Sequence, residues 1–200
     1  MPTTVATSAP EETPSRRRTE LLDAAYGYAT EQGLADLSLR PLAQAIGSSP
    51  RVLLFLFGSK DGLIRAILAR ARADELAMLD RLRADGRADL ETTALRLWTW
   101  LSDPRHRGVL ALWVEAYARS LVDPHGPWAG FAERTVADWL DLLADSQPPR
   151  TRRGAAAVAH RTAALAVLRG AMLDVLATGD AERTTRAVAQ QLATLGAPAR

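Results

Sequence analysis

The sequence predicts an all-α fold, with a three-helix N-terminal unit built around a helix-turn-helix and a larger helical domain after it. Three observations lead there. From Ser15 onward apolar residues recur at helical spacing, and no segment sustains the period-two alternation of β-branched residues that a strand requires. Glycines and prolines mark the breaks, at Gly33, Gly47, Gly58, Gly86, Pro104, Pro124, Pro127, Pro148, Pro149 and Gly179. Residues 38–57 carry the spacing of two short helices joined by a tight turn.

Residues 1–14 are rich in Thr, Ser, Pro and Glu and have little to bury, so they are expected to form a disordered tail. They lack the apolar core and basic start of a secretory signal. Helix one is expected over 15–32, with Leu21, Ala25, Tyr28 and Ala29 inward and Gly33 as its stop. Helices two and three are expected over 39–46 and 50–56, and helix four from Lys60 to Asp85. Further helices are expected over 88–102, 105–122 (one or two), 127–146, 151–178 and 180–195. These divide into an N-terminal helix-turn-helix unit at 15–75 and a larger helical domain at 76–200.

The 38–57 segment is the most specific. Ser38 is suited to cap a helix N-terminus, and Pro41 falls in the first turn, where a missing N–H costs little. Leu39, Leu42, Ala43 and Ile46 then form one apolar stripe. Gly47 follows where the turn needs positive φ. Ser49 caps the next helix and Pro50 takes its first position. Ala43 is small where two helices cross, and Leu53 is the core residue of the second helix. In a helix-turn-helix that second helix lies in the major groove. Its exposed candidates are Ser48, Ser49, Arg51 and Val52. An ordinary pair of short helices in a helical core would show the same turn.

Charge favours the nucleic-acid reading. The net charge is only +2, yet residues 15–72 hold nine basic groups against five acidic ones, while residues 73–200 are balanced. The excess includes Arg16, Arg17, Arg18, Arg40, Arg51 and Lys60, as expected of a module that meets phosphates. A solvated basic helix face is the alternative.

Taken together, Arg-Arg-Thr-Glu-Leu-Leu-Asp-Ala-Ala (17–25), Gly33 through Ser38-Leu-Arg and Leu42-Ala, and Gly47 through Leu63 resemble the tetracycline-repressor (TetR) family over about residues 15–75. Phe57, Ser59, Lys60 and Leu63 match in type and spacing. The resemblance implies an all-helical homodimer that binds double-stranded operator DNA, with a C-terminal domain whose small ligand alters operator affinity; repression is the usual mode. It implies that Ser38 and Arg40 contact the DNA backbone, that Ser48, Ser49, Arg51 and Val52 face the groove, and that Lys60 meets a phosphate. Two positions depart from the pattern: Leu54 stands where the family commonly has tyrosine, and Leu56 where it has histidine. Each lost phosphate contact flattens the salt dependence by roughly one log–log unit. The load shifts to Ser38, Arg40, Arg51, Lys60 and the Arg16–Arg18 arm.

All five tryptophans fall within 98–139. They make either a packed aromatic core or, in part, the wall of a pocket for an apolar or aromatic ligand. The pocket candidates are Trp98, Leu101, Trp113, Tyr117, Trp128, Phe131, Trp139, His160 and Arg169. Glu115 and Arg119 are further polar candidates, although at i, i+4 they are placed to pair with each other. Over 151–195, Val158, Thr162, Leu165, Met172 and Leu176, with Val188 and Leu192 of the last helix, are candidates for a four-helix dimer interface. Intrachain packing would use the same residues.

An enzyme is disfavoured. The sequence has no cysteine, no glycine-rich phosphate loop and no His-x-x-x-His pair, and its three histidines are scattered. No cofactor or metal is called for. No apolar run approaches the ~20 residues of a membrane span, so a cytoplasmic address is expected. A helical adaptor with a degenerate helix-turn-helix is the remaining alternative.

Overall fold

The computed structural model describes residues 14–86 and 88–196, so the expected tail at 1–14 lies, apart from Pro14, outside the described residues. The described residues form nine α-helices and one 3-10 turn, with no strand among them. In chain order these are α1 (Pro14–Gln32), α2 (Leu39–Ala45), α3 (Pro50–Phe57), α4 (Lys60–Ala84), α5 (Leu90–Leu101), α6 (Arg107–Val122), α7 (Phe131–Asp145), α8 (Ala155–Thr178) and α9 (Ala181–Gly196).

The N-terminal helices pack as the sequence requires. Leu21, Ala25 and Ala29 of α1 are buried together with Leu42 and Ala43 of α2 and Leu53 of α3. The α2–α3 turn closes by two bonds: the Gly47 N–H donates to the Gln44 carbonyl and the Ser48 N–H to the Ala43 carbonyl. Gly47 supplies the positive φ of 63° that this closure needs. The Ser49 hydroxyl accepts the Val52 N–H at 3.3 Å, and Pro50 opens α3 without leaving an amide unpaired. Ser38 occupies the N-cap position of α2 with extended backbone, but its side chain makes no capping bond, contrary to expectation. Gly62 sits against the end of α3; a Cβ there would lie 2.0 Å from the Phe57 carbonyl oxygen.

Four boundaries differ from the sequence reading. Helix α5 begins at Leu90, capped by Asp89. The stretch 105–122 is a 3-10 turn (Pro104–His106) followed by one helix. Helix α7 begins at Phe131 and α8 at Ala155, because Pro124, Pro127 and the Pro148–Pro149 pair hold the preceding residues in turns.

Helix α4 is uninterrupted from Lys60 to Ala84 and packs on α1 and α3 with its first half and on α5, α6 and α7 beyond it. Helices α5 to α9 form the larger bundle, with α8 and α9 against α5. A second junction is made by α1 against α6. The approach there is close: a Cβ at Gly108 would lie 2.7 Å from the Thr30 carbonyl oxygen. Gly108→Ala is therefore expected to force α1 and α6 apart and to destabilise the fold by about 1–3 kcal/mol. Urea unfolding checks this; an unchanged midpoint would contradict the close approach.

Candidate nucleic-acid interface and ligand cavity

The first site is the surface around α3. Ser38, Arg40 and Lys60 are brought to one shallow concavity, which Asp36, Pro41 and Pro50 also line. Arg40, Ser49 and Arg51 are exposed around it. Ser48 corrects the sequence reading: its hydroxyl oxygen is buried and unpartnered, so it does not face outward. The arm is only partly free. Arg16 and Arg17 both approach Glu20, at 3.0 and 3.7 Å. Arg18 donates to the Leu56 carbonyl at 3.4 Å and places its guanidinium 5.0 Å from the Phe57 ring centre, tying α1 to the end of α3. Of the nine basic groups, Arg70 is committed to Asp23 and Asp74, and Arg72 to Glu75 and Asp138. The outward positive charge therefore gathers on α2, α3 and the start of α4.

Helix α3 also presents an apolar face. Phe55 is 83% exposed, Leu54 41% and Val52 38%. The sequence reading named Leu53 as core and Val52 as exposed and left Phe55 unassigned. Leu53 and Phe57 are the buried pair, and Phe55, between them, points away from both.

The second site is a cavity of about 310 Å³ between α6, α7 and α8. Trp113, Tyr117, Phe131, Trp139 and Arg169 line it, as the sequence suggested. Val114, Ala118, Leu121, Thr135, Met172 and Leu173 complete the wall. Leu121 and Leu173 are 66% and 51% exposed and stand at its mouth.

Four expected pocket residues lie elsewhere. Trp98 is buried against α9, its indole N–H donating to the Thr185 hydroxyl at 2.9 Å. Leu101 and Trp128 are buried in the core away from the cavity. His160 is exposed beside the turn that precedes α8.

The electrostatics of the second site centre on two buried groups. The Arg169 guanidinium lies 5.1 Å from the Tyr117 ring centre and 5.8 Å from that of Trp139. Its Nη1 donates to the Tyr117 hydroxyl at 3.3 Å, while Nη2 is buried without a partner. Burial lowers the Arg169 pKa from its ordinary value. Behind the wall, Glu75 of α4 is fully buried. It accepts the Trp139 indole N–H at 2.6 Å, the Thr135 hydroxyl at 3.4 Å and an Arg72 N–H at 3.4 Å. Burial pushes the Glu75 carboxyl above the usual carboxylate range, against the pull of the Trp139 bond and the Arg72 charge. The sequence held a signal for Glu75 that went unread: it continues the inward series Ile64, Ile67, Leu68, Ala71 of α4, where a carboxylate needs partners.

Glu115 does not pair with Arg119. Its Oε2 accepts the Leu34 N–H just beyond the end of α1, at 2.8 Å. The neighbouring Val114 lines the cavity, so one stretch of α6 touches both sites.

A helix-turn-helix whose basic face is outward, joined by packed helices to an aromatic cavity, defines a DNA-binding transcriptional regulator. Residues 21–67 match the family of bacterial regulatory proteins described as the tetR family. The chain is 32% identical over 155 residues to the HTH-type transcriptional regulator BetI of Stenotrophomonas maltophilia (strain R551-3), covering 64% of this chain and 79% of that one. It is 28% identical over 156 residues to BetI of Cronobacter sakazakii (strain ATCC BAA-894), covering 74% and 75%. Among solved structures it resembles the multidrug binding protein EbrR complexed with imidazole, with 29% identity, 92% of each chain covered and a TM-score of 0.63. The chain belongs to the TetR family.

Two absences apply to the described residues: no helix is long and apolar enough to cross a membrane, and no group of three or more His, Cys, Asp or Glu is placed to hold a metal ion.

Because Glu75 holds its proton more tightly folded than unfolded, its contribution is largest below the unfolded value near 4.5 and is lost as pH rises through the folded value. Glu75→Gln removes this titration. The stability of the wild type relative to that variant is expected to fall with rising pH across this window in a urea series. A difference independent of pH would contradict the assignment.

Proposed function

We propose that this regulator is a repressor that binds operator DNA as a homodimer and leaves it when a small apolar or aromatic molecule enters the cavity. The observation that carries the reading is the position of α6, which lines the cavity with Trp113, Val114, Tyr117 and Ala118 and bonds the α1–α2 connection through Glu115. A ligand that moves α6 changes the support under the helix-turn-helix. In this reading the protein binds and releases, and performs no chemistry. EbrR, the related multidrug binding protein, has been solved with imidazole, proflavin and ethidium.

At the DNA, Ser38, Arg40 and Lys60 are proposed to hold phosphates, with Arg16 and Arg17 nearby. Arg51 at the start of α3 is placed to read a base edge, guanine being the usual partner of arginine. Val52 and Phe55 add apolar contact of the kind thymine methyl groups offer. Ser49 is already engaged in capping and contributes less.

The dimer reading requires reassignment of the candidates. Leu165, Met172, Val188 and Leu192 are buried within the chain and Leu176 packs on its core, so they are core residues and not interface ones. Leu165 and Met172 were misassigned because both faces of α8 are apolar; Val188 and Leu192 form the single apolar face of α9, which packs on its own chain. Val158 and Thr162 are exposed and extend, through Ala166 and Gly170, to Leu173 on the outer face. A helix apolar on all sides with one face bare fits a symmetric contact with a second copy.

A footprint on the DNA flanking its own gene tests the proposal. Expected is saturable protection of a near-palindrome with half-sites about 34–36 Å apart. Binding indifferent to sequence would overturn it. Arg51→Ala is expected to weaken specific binding by about 1–3 kcal/mol, read by gel shift; an unchanged affinity would refute its reading role. Phe55→Ala is expected to weaken operator binding while leaving the thermal midpoint intact, since the ring is exposed.

A further inference from the structure

We propose that the molecule taken by the aromatic cavity is an organic anion, a flat apolar body carrying a carboxylate, held by Arg169 and the indole N–H of Trp113. This inference rests on the cavity being the effector site.

The wall supplies an apolar body with few polar groups: the Arg169 guanidinium, the Trp113 indole N–H and the Tyr117 and Thr135 hydroxyls. Trp113, Tyr117, Phe131 and Trp139 offer ring faces and edges for an aromatic skeleton. Trp113 stands in a stack that runs from His106 through Trp100, with centroids 3.9 and 5.5 Å apart, and meets Trp139 edge-on at 6.3 Å. These contacts fix the ring and leave its N–H buried with no acceptor. Arg169 leaves Nη2 in the same condition. Two buried donors without acceptors, one of them on a permanent cation, are costly in an empty protein. A carboxylate accepts from donors of this kind and gains the strength of a charge-assisted bond.

Among the described residues, no carboxylate lines the cavity to receive a cation. Both Glu75 oxygens are engaged, Oε1 by Trp139 and Oε2 by Thr135 and Arg72, and Glu75 is not part of the wall. The Tyr117 hydroxyl accepts from Arg169. Arg169 is itself pinned between the Tyr117 and Trp139 rings, so its position is set before a ligand arrives and little ordering remains to be done on binding. A positively charged ligand would enter beside a desolvated guanidinium that no neighbour fully neutralises. The cavity therefore favours a charge opposite to that of cationic dyes.

The test uses three probes of one shape on the full chain, by calorimetry and thermal shift: 2-naphthoate, 2-naphthamide and 2-naphthylmethylammonium. Naphthoate is expected to bind about tenfold or more tighter than the amide, and the ammonium more weakly still. Arg169→Met is expected to remove most of the preference for naphthoate over the amide, weakening naphthoate by a larger factor than the amide. Arg169→Lys keeps the charge and is expected to retain part of the preference, which separates a charge effect from a packing defect. Retained operator binding by both variants shows that they fold.

Amide binding as tight as naphthoate, or ammonium binding tightest, overturns the anion assignment and leaves the cavity as the effector site. An unchanged naphthoate affinity in Arg169→Met also overturns it. Failure of all three probes at millimolar concentration overturns the cavity reading and the assignment with it.

Discussion

The amide of Leu34 lies just past the last hydrogen bond of α1, in the connection that leads to the helix-turn-helix, and its acceptor comes from a residue 81 positions later in the sequence. Glu115, on α6, provides that acceptor at 2.8 Å. A few turns earlier on the same helix, Gly108 lets the α6 backbone close onto the Thr30 carbonyl. These two contacts make α6 the strut between the DNA-facing helices and the bundle, with α4 as the second connection. A backbone donor buried without an acceptor would cost about 1–3 kcal/mol, so the placement of α2 and α3 depends on where α6 lies. The far side of the strut is the aromatic wall of the cavity. In the proposed mechanism, a ligand that shifts α6 changes the Leu34 bond directly.

The cavity is held open by charges rather than by apolar packing alone. Glu75 reaches from α4 to Trp139 and Thr135 of α7 and keeps Arg72 beside it. Arg169 reaches from α8 to Tyr117 of α6. Four helices are thereby fixed around one volume by bonds whose loss would strand a buried charge. Such a site is rigid in its walls and specific in its donors. It suits a sensor that has to distinguish one small molecule from others of the same size.

The helix-turn-helix was legible because its determinants are local. Gly47 needs positive φ, Pro50 suits a first helical position, Ser49 caps, and Ala43 with Leu53 fills the crossing; each acts within a few residues of itself. The cavity was legible only in composition. Trp113, Tyr117, Phe131, Trp139 and Arg169 converge on it, whereas Trp98, Leu101 and His160, equally plausible by residue type, are directed elsewhere by helix rotation, which periodicity leaves undetermined when neighbouring faces are both apolar, and Trp128 lies in the turn before α7. The same ambiguity misplaced Leu165 and Met172, since a helix apolar on all sides does not show which face meets its own chain; Val188 and Leu192 lie on the one apolar face of α9, whose partner proved to be its own chain. Glu115 illustrates the other limit: its i, i+4 neighbour Arg119 suggested a local pair, and a partner 81 residues away took the bond instead.

Amide hydrogen exchange at Leu34 tests the central claim most directly. The chain would be followed free, bound to its operator, and with the cavity filled. The account predicts slow exchange at Leu34 when operator is bound, and faster exchange there when the cavity is filled, because α6 withdraws the Glu115 acceptor. Unchanged protection at Leu34 on filling the cavity, with operator affinity nevertheless reduced, would contradict α6 as the connection between the two sites.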